Sequence, residues 1–447
     1  MYTLRFLPIA ATLLLAEGAA AQATTSGTPS NLTIDKLIQI KHPSGHKWTP
    51  DGSHVWFTYD SAGVNNVWVA PADGSSAAKP LTTYADGQSG NDGFWSNDGQ
   101  TFFFQRDGGL LAVSLRGGAP RAAWATAAHG RGFALSPDGT RVAFIANTTE
   151  SANGGDLIVH TIATNTDQTI AHADSALGAP SWSRDGADLI YSVGARPSEP
   201  IQHYASPPEI GPKLIFVATE FARNGGGGTT FTVPAAGGTP QRVAGRGGVG
   251  RGGNVIDATH SLSTRVSNGG LTRTTESVDA AAGPPIILHV DTAEKFFSSV
   301  NTTNNAISPD RRWLLYTSDV TGWDQIYVVP TAGGTPVRIT KTPGEHWRAV
   351  WSHDSKRIAW DANTADKPGT REIQVATIGD NPADATLVTV TSGAGTNTAP
   401  QWSPDDRRLA FQHTDSRNSA DLYVADAVAN AKVTRLTSSM PASIDKS

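Results

Sequence analysis

The sequence predicts an all-β fold, an eight-bladed β-propeller of four-stranded antiparallel blades, on three observations. One short turn motif recurs along most of the chain at intervals of about one blade. A second strand pattern follows most copies. Gly and Pro, 46 and 27 of the 447 residues, are plentiful enough for many turns and few helices.

In chain order, residues 1–23, MYTLRFLPIAATLLLAEGAAAQA, come first. They carry Arg5, an apolar run from Phe6 to Leu15 and then small residues, the pattern of a secretory signal peptide cleaved after Ala21 or Ala23. The run falls short of the roughly 18 apolar residues that a membrane helix needs, so no membrane insertion is expected. The sequence has no cysteine, hence no lipoprotein anchor, disulfide framework or thiolate metal site. A periplasmic or secreted protein is expected. Lys and Arg number 35 against 40 Asp and Glu, a net of −5, and no block of like charge stands out, which argues against a nucleic-acid partner.

Residues 24–46 read as a lead-in, and the repeats occupy residues 47–440. Seven copies of the turn are plain: WTPDGSHVWFT from Trp48, WSNDGQTFFFQ from Trp95, LSPDGTRVAFI from Leu135, WSRDGADLIYS from Trp182, ISPDRRWLLYT from Ile307, WSHDSKRIAWD from Trp351 and WSPDDRRLAFQ from Trp402. Their spacings are 47, 40, 47, 125, 44 and 51 residues, so the long gap must hide an eighth unit. VIDATHSLSTRVS from Val255 fits it, with Asp257-Ala258 where the turn should be. In S-P-D-G, Pro sets the first central residue, Asp bonds its own backbone and Gly closes the turn.

After the turn come strands such as VAFI and LLYT, apolar on both faces as expected of a strand sandwiched between neighbouring blades. A third strand follows, as in NVWVAP at Asn66 or DLYVAD at Asp421. A glycine hairpin and a short fourth strand complete the unit in PTAGGTPVRIT, Pro330 to Thr340. Four strands of about five residues with their turns use roughly 40–50 residues, one blade. The Trp before the turn, present in five of the eight units, reads as core filler rather than a ligand-stacking ring.

These units resemble the propeller repeats shared by TolB and by the N-terminal half of the prolyl oligopeptidase family of serine peptidases, including its dipeptidyl peptidase IV and acylaminoacyl peptidase branches. The opening LTIDKLIQIKHPSGHKWTPDG, Leu32 to Gly52, the count of eight units and the closing stretch from Thr396 to Ala427 tilt the resemblance toward the peptidases. The resemblance implies a propeller that gates and filters substrate, beside an α/β-hydrolase domain that carries Ser, Asp and His. No G-x-S-x-G elbow occurs in this sequence, and the tail, residues 441–447, stands where that domain is expected to begin. The expected function is the substrate-gating half of an exported peptidase, not catalytic by itself, with a peptide or protein partner at the propeller mouth. The alternatives are a stand-alone TolB-like binding scaffold and a propeller enzyme such as an oligogalacturonate lyase. The last would want clustered histidines for a metal, and the 12 histidines are scattered.

Unit four carries an insertion, Gly194 to Lys213, between its second strand and LIFVAT. In the dipeptidyl peptidase IV branch an insertion from this blade bears paired glutamates that hold the substrate's amino terminus. The resemblance therefore points to Glu199 and Glu209 as substrate-binding candidates, although they stand apart rather than as a pair. No catalytic residue, metal ligand or cofactor site is assigned. GRGGVG, Gly245 to Gly250, has the spacing of a dinucleotide loop but no following helix pattern, so it reads as a loop. His42 and His46 are four apart, but Pro43 and Gly45 between them oppose a ligand-bearing helix.

Overall fold

The computed structural model describes residue 34 and residues 40–61, 64–86, 93–124, 130–146, 155–183, 185–194, 229–243, 256, 260–267, 272–279, 284–292, 306–416 and 418–439. It is all-β, built from antiparallel sheets whose strands follow one another in sequence. Unit one is His42–Trp48, His54–Ser61, Val64–Pro71 and Lys79–Pro80. Its first strand thus opens inside the stretch read as a lead-in, hidden there because Pro43 and Gly45 interrupt any strand pattern. Units two, three and four are likewise four-stranded, and the described strands of units five and six form three-stranded sheets. Unit seven (His346–Trp351, Arg357–Thr364, Lys367–Thr377, Thr386–Thr389) and unit eight (Thr396–Trp402, Arg408–Thr414, Asp421–Asp426, Val433–Arg435) join through one parallel bridge, Arg371 to Thr396. Among the described residues no helix is long and apolar enough to cross a membrane.

The third strand of unit four is Thr229–Pro234, paired along Asp188–Val193, and not LIFVAT. The chain between these two strands therefore runs well past Lys213. The signal was present in FTVPAAGGTPQRV, where Gly237 and Gly238 repeat the hairpin of Gly333 and Gly334 with φ of 91° and 151° against 88° and 146°. LIFVAT itself lies outside the described residues.

Each plain turn is closed by its own side chains. In unit eight Ser403 Oγ donates to Asp405 Oδ1 (2.6 Å), the same carboxylate accepts the Arg407 N–H (3.1 Å), and Ser403 Oγ accepts the Arg408 N–H (2.9 Å). The Ser or Thr to Asp bond recurs at residues 49/51, 96/98, 136/138, 183/185, 308/310 and 352/354. The fifth position of the turn is left-handed in all seven, which Gly52, Gly99, Gly139 and Gly186 adopt freely and Arg311, Ser355 and Asp406 adopt at some cost. In unit five Ile256 N–H meets His260 O at 2.9 Å, a separation of four residues where the plain turns, as from Thr49 to His54, have five.

The core consists of apolar layers between successive sheets. Val142 and Phe144 face unit two while Ala143 and Ile145 face unit four, so one strand is buried on both sides. The layer between the last unit and the first is of the same kind, with Ala410, Leu422, Val424 and Leu436 packed against Trp48, Val55, Phe57 and Ala70.

Charged and aromatic side chains lock these layers. Trp402 Nε1 donates to the Val350 carbonyl (3.3 Å), Trp182 to Ala134 (2.9 Å), Trp351 to Ala306 (3.3 Å) and Trp48 to Gln401 (3.0 Å). Each acceptor directly precedes the matching position in the previous unit. In return an Arg six residues after that position covers the next unit's indole. Arg141 lies 4.7 Å over Trp182, Arg357 4.6 Å over Trp402 and Arg408 4.9 Å over Trp48, and each also donates to the carbonyl of the next turn. The join between units eight and one uses the same latch as the joins within the chain.

Candidate functional site

At the end of the sheets away from these turns, first strands begin and third strands begin. A polar residue of the third strand takes a hydroxyl bond from a Thr just past the fourth strand in four units: Asn66 from Thr82 (2.9 Å), Gln325 from Thr340 (2.7 Å), Glu372 from Thr391 (2.5 Å) and Asp421 from Thr437 (2.9 Å). Most polar groups here are tied into this frame. Unit seven keeps this bond and adds a charged cluster beside it.

First strands carry a bulge three residues before the turn position, where the backbone is left-handed at Gly45, Gly132, Arg348 and Ala399, with φ of 63°, 66°, 51° and 55°. Among the described residues, only unit seven puts a long charged side chain there. Arg348 Nη1 donates to Asp361 Oδ2 at 2.7 Å, and Arg371 Nη1 approaches the same oxygen at 3.5 Å. Asp361 Oδ1 accepts the Ala399 N–H at 3.3 Å. Asp361 is fully buried on the unit-eight side of its strand, whereas matching positions hold the uncharged Thr58, Gln105, Ile145, Ser192, Thr317 and Gln412. Burial pushes its carboxyl above the ordinary carboxylate range, opposed chiefly by Arg348. A buried carboxylate is tolerated only with such partners. Both guanidinium groups remain partly open, at 49% and 30% side-chain exposure, and Arg371 stacks 3.9 Å over half-buried Trp347. The result is a rigid cationic clamp, two forks on one buried acid beside an aromatic face.

Next to it His346 is buried, its Nδ1 accepting the Trp360 Nε1–H at 2.9 Å, and burial lowers its pKa to about 4. His46 is also buried, with Nε2 3.0 Å from the Ala399 carbonyl, and burial lowers its pKa to about 4 despite that bond. A neutral His46 donates from Nε2. His42, by contrast, is exposed. The structure does not bring these two together as a metal pair, and among the described residues no group of three His, Asp or Glu is placed to hold a metal. Ser53 Oγ lies 2.7 Å from His54 Nδ1, but Asp51 bonds the serine rather than the imidazole, the reverse of the order that activates a nucleophile. Glu199, Glu209 and the GRGGVG stretch lie outside the described residues. Arg348, Asp361 and Arg371 escaped the reading of the sequence because each occurs once, and a search for repeats passes over what does not repeat.

No family model matches the chain. An uncharacterized protein of Agrobacterium fabrum is 33% identical over 132 residues, which are 29% of this chain and 41% of that protein. Among solved structures, the dipeptidyl peptidase 4 of Porphyromonas gingivalis aligns with a TM-score of 0.54 at 13% identity, over 91% of this chain and 61% of the peptidase. A puromycin-hydrolyzing peptidase of Mycobacterium tuberculosis aligns with a TM-score of 0.48 at 14% identity, over 93% of this chain and 56% of that one. The chain thus spans less than two thirds of each relative's length. The likeness to dipeptidyl peptidase 4 shows the fold, a β-propeller type of sheet arrangement.

Proposed function

We propose that the chain is a closed, eight-bladed propeller acting as the substrate-gating part of an exported prolyl oligopeptidase-type peptidase. The observation that carries the ring is the Trp48–Arg408 latch, which joins the last sheet to the first as Trp402–Arg357 joins the eighth to the seventh. First strands of neighbouring units pack on one another, as Gly130–Leu135 does on Ser181–Trp182 and Thr396–Trp402 on His42–Trp48, which supports first strands gathered about a common axis. A propeller of this kind filters what reaches a site at its mouth, and the likeness to dipeptidyl peptidase 4 supports this role. Hydrolysis needs a nucleophile, a base and an oxyanion hole, and these are assigned to an α/β-hydrolase domain beyond this sequence. The purified chain is therefore expected to show no turnover of aminoacyl or prolyl chromogenic substrates and no labelling by a fluorophosphonate. Stoichiometric serine labelling would overturn the reading. So would downstream DNA encoding a complete unrelated protein instead of a G-x-S-x-G elbow, which would favour a binding scaffold.

A further inference from the structure

We infer that the Arg348–Asp361–Arg371 clamp of unit seven binds the carboxylate of a ligand. The inference stands on local geometry and holds whether the chain gates a peptidase or acts as a scaffold. Each guanidinium carries five N–H donors in a planar fork. Here Asp361 Oδ2 takes one from each, and among the described residues neither guanidinium makes a second hydrogen bond. Both Nη1 groups converge on one oxygen, so the two forks flank a single point, and both side chains stay partly open to solvent.

The arrangement is costly unless used. Arg348 holds a left-handed backbone that its counterparts leave to Gly or Ala, and Asp361 puts a charge into an interface layer. The buried acid orients the forks, and Trp347 fixes the plane of the second. With Asp361 ionised the cluster keeps one net positive charge, which suits a singly charged, planar carboxylate better than a doubly charged phosphate. Of the neighbouring acids, Asp324 bonds the Trp347 side chain, and two others are engaged elsewhere. Glu372 accepts from Thr391, Asn397 and the Gly393 N–H, and Glu345 accepts the Asp324 N–H on the unit-six side.

Isothermal titration of the purified chain tests this with four probes: N-acetyl-trialanine as free acid, its carboxamide, N-acetyl-Ala-Glu-Ala carboxamide and inorganic phosphate. The free acid or the glutamate peptide should bind at least tenfold more tightly than the trialanine amide and than phosphate. Binding by the first alone assigns the site to chain termini, and binding by the second alone assigns it to acidic side chains. Arg371→Ala should abolish that preference with the far-ultraviolet spectrum unchanged. Arg371→Lys, which keeps the charge and loses the fork, should weaken it similarly and serves if the Ala variant misfolds. Equal binding of acids and amide, tighter binding of phosphate, no acid binding up to about 10 mM, or unchanged binding in a folded Arg371 variant would each overturn the assignment.

Discussion

If the first and last sheets are truly locked, Trp48 and Arg408 must be energetically coupled although 360 positions separate them in sequence. The Arg408 guanidinium carbon lies 4.9 Å over the Trp48 ring, its Nη2 donates to the Gly52 carbonyl at 2.7 Å, and Trp48 Nε1 donates to the Gln401 carbonyl at 3.0 Å. Arg408→Ala removes a cation–π contact of about 0.5–1 kcal/mol and a hydrogen bond from a charged donor of about 1.5–3 kcal/mol, so a loss of about 2–4 kcal/mol is expected. Trp48→Ala removes the ring and its N–H bond, at roughly 3–5 kcal/mol. The two share the stacking contact, so the double variant should fall short of additivity by about 0.5–1 kcal/mol. Guanidinium unfolding of the four proteins measures this, with Arg357 and Trp402 as the internal standard, since they form the same latch at 4.6 Å between units seven and eight. Coupling at 357/402 together with additivity at 48/408 would refute the closed ring.

Acid should weaken the protein in two stages. His46 and His346 have folded pKa values of about 4, below the ordinary 6.5, so their contribution is complete above pH 6.5 and is lost as pH falls toward 4. His46→Gln should flatten that first stage in a melting-temperature profile against pH. The second stage belongs to the turn aspartates. The Ser136 hydroxyl holds Asp138 down at about 2, and Asp98, Asp185 and Asp405 are lowered by their serines in the same way, so stability present above about pH 4 drains as pH falls through 2. Replacing Asp138 with Asn should shrink this stage, and an unchanged profile would count against the turn network. Trp402→Ala should cost roughly 3–5 kcal/mol, and Trp182→Ala less, because Trp182 is only half-buried whereas Trp402 is 5% exposed. Mass measurement of the exported protein should show loss of the first 21 or 23 residues, and a species starting at Met1 would refute the signal peptide.

What repeats was legible in the sequence, and what happens once was not. The S-x-D-G turn, the doubly apolar second strand and the glycine hairpin are local patterns, and they place most strands without reference to anything distant. The latches were half legible. Arg141, Arg357 and Arg408 recur at one position after the turn, but nothing local says that each serves the next unit's tryptophan rather than its own. Partners across a sheet interface depend on how far one sheet slides along its neighbour, which spacing within a unit does not encode. The clamp was illegible for the opposite reason. Arg348 breaks the pattern set by Gly45, Gly132 and Ala399, and that break has meaning only once the bulge is seen. In unit four the reading failed because an apolar run, LIFVAT, resembled a strand more than TTFTVP did, and only pairing with Asp188–Val193 decides between them.

The seam between first and last sheets has a topological consequence. Neither sheet borrows a strand from the other: unit one is built wholly from residues 42–80 and unit eight wholly from residues 396–435. The described chain ends nevertheless meet, with the Lys41 N–H on the Ser439 carbonyl at 3.1 Å. In the proposed ring the seam is one joint among equals rather than a clasp on which the rest depends, and order along the gene is separable from order around it. A circular permutant that fuses residue 439 to residue 41 and opens the chain in the Lys341–Pro343 connection would keep every sheet continuous, and it should assemble the same architecture from a differently ordered message.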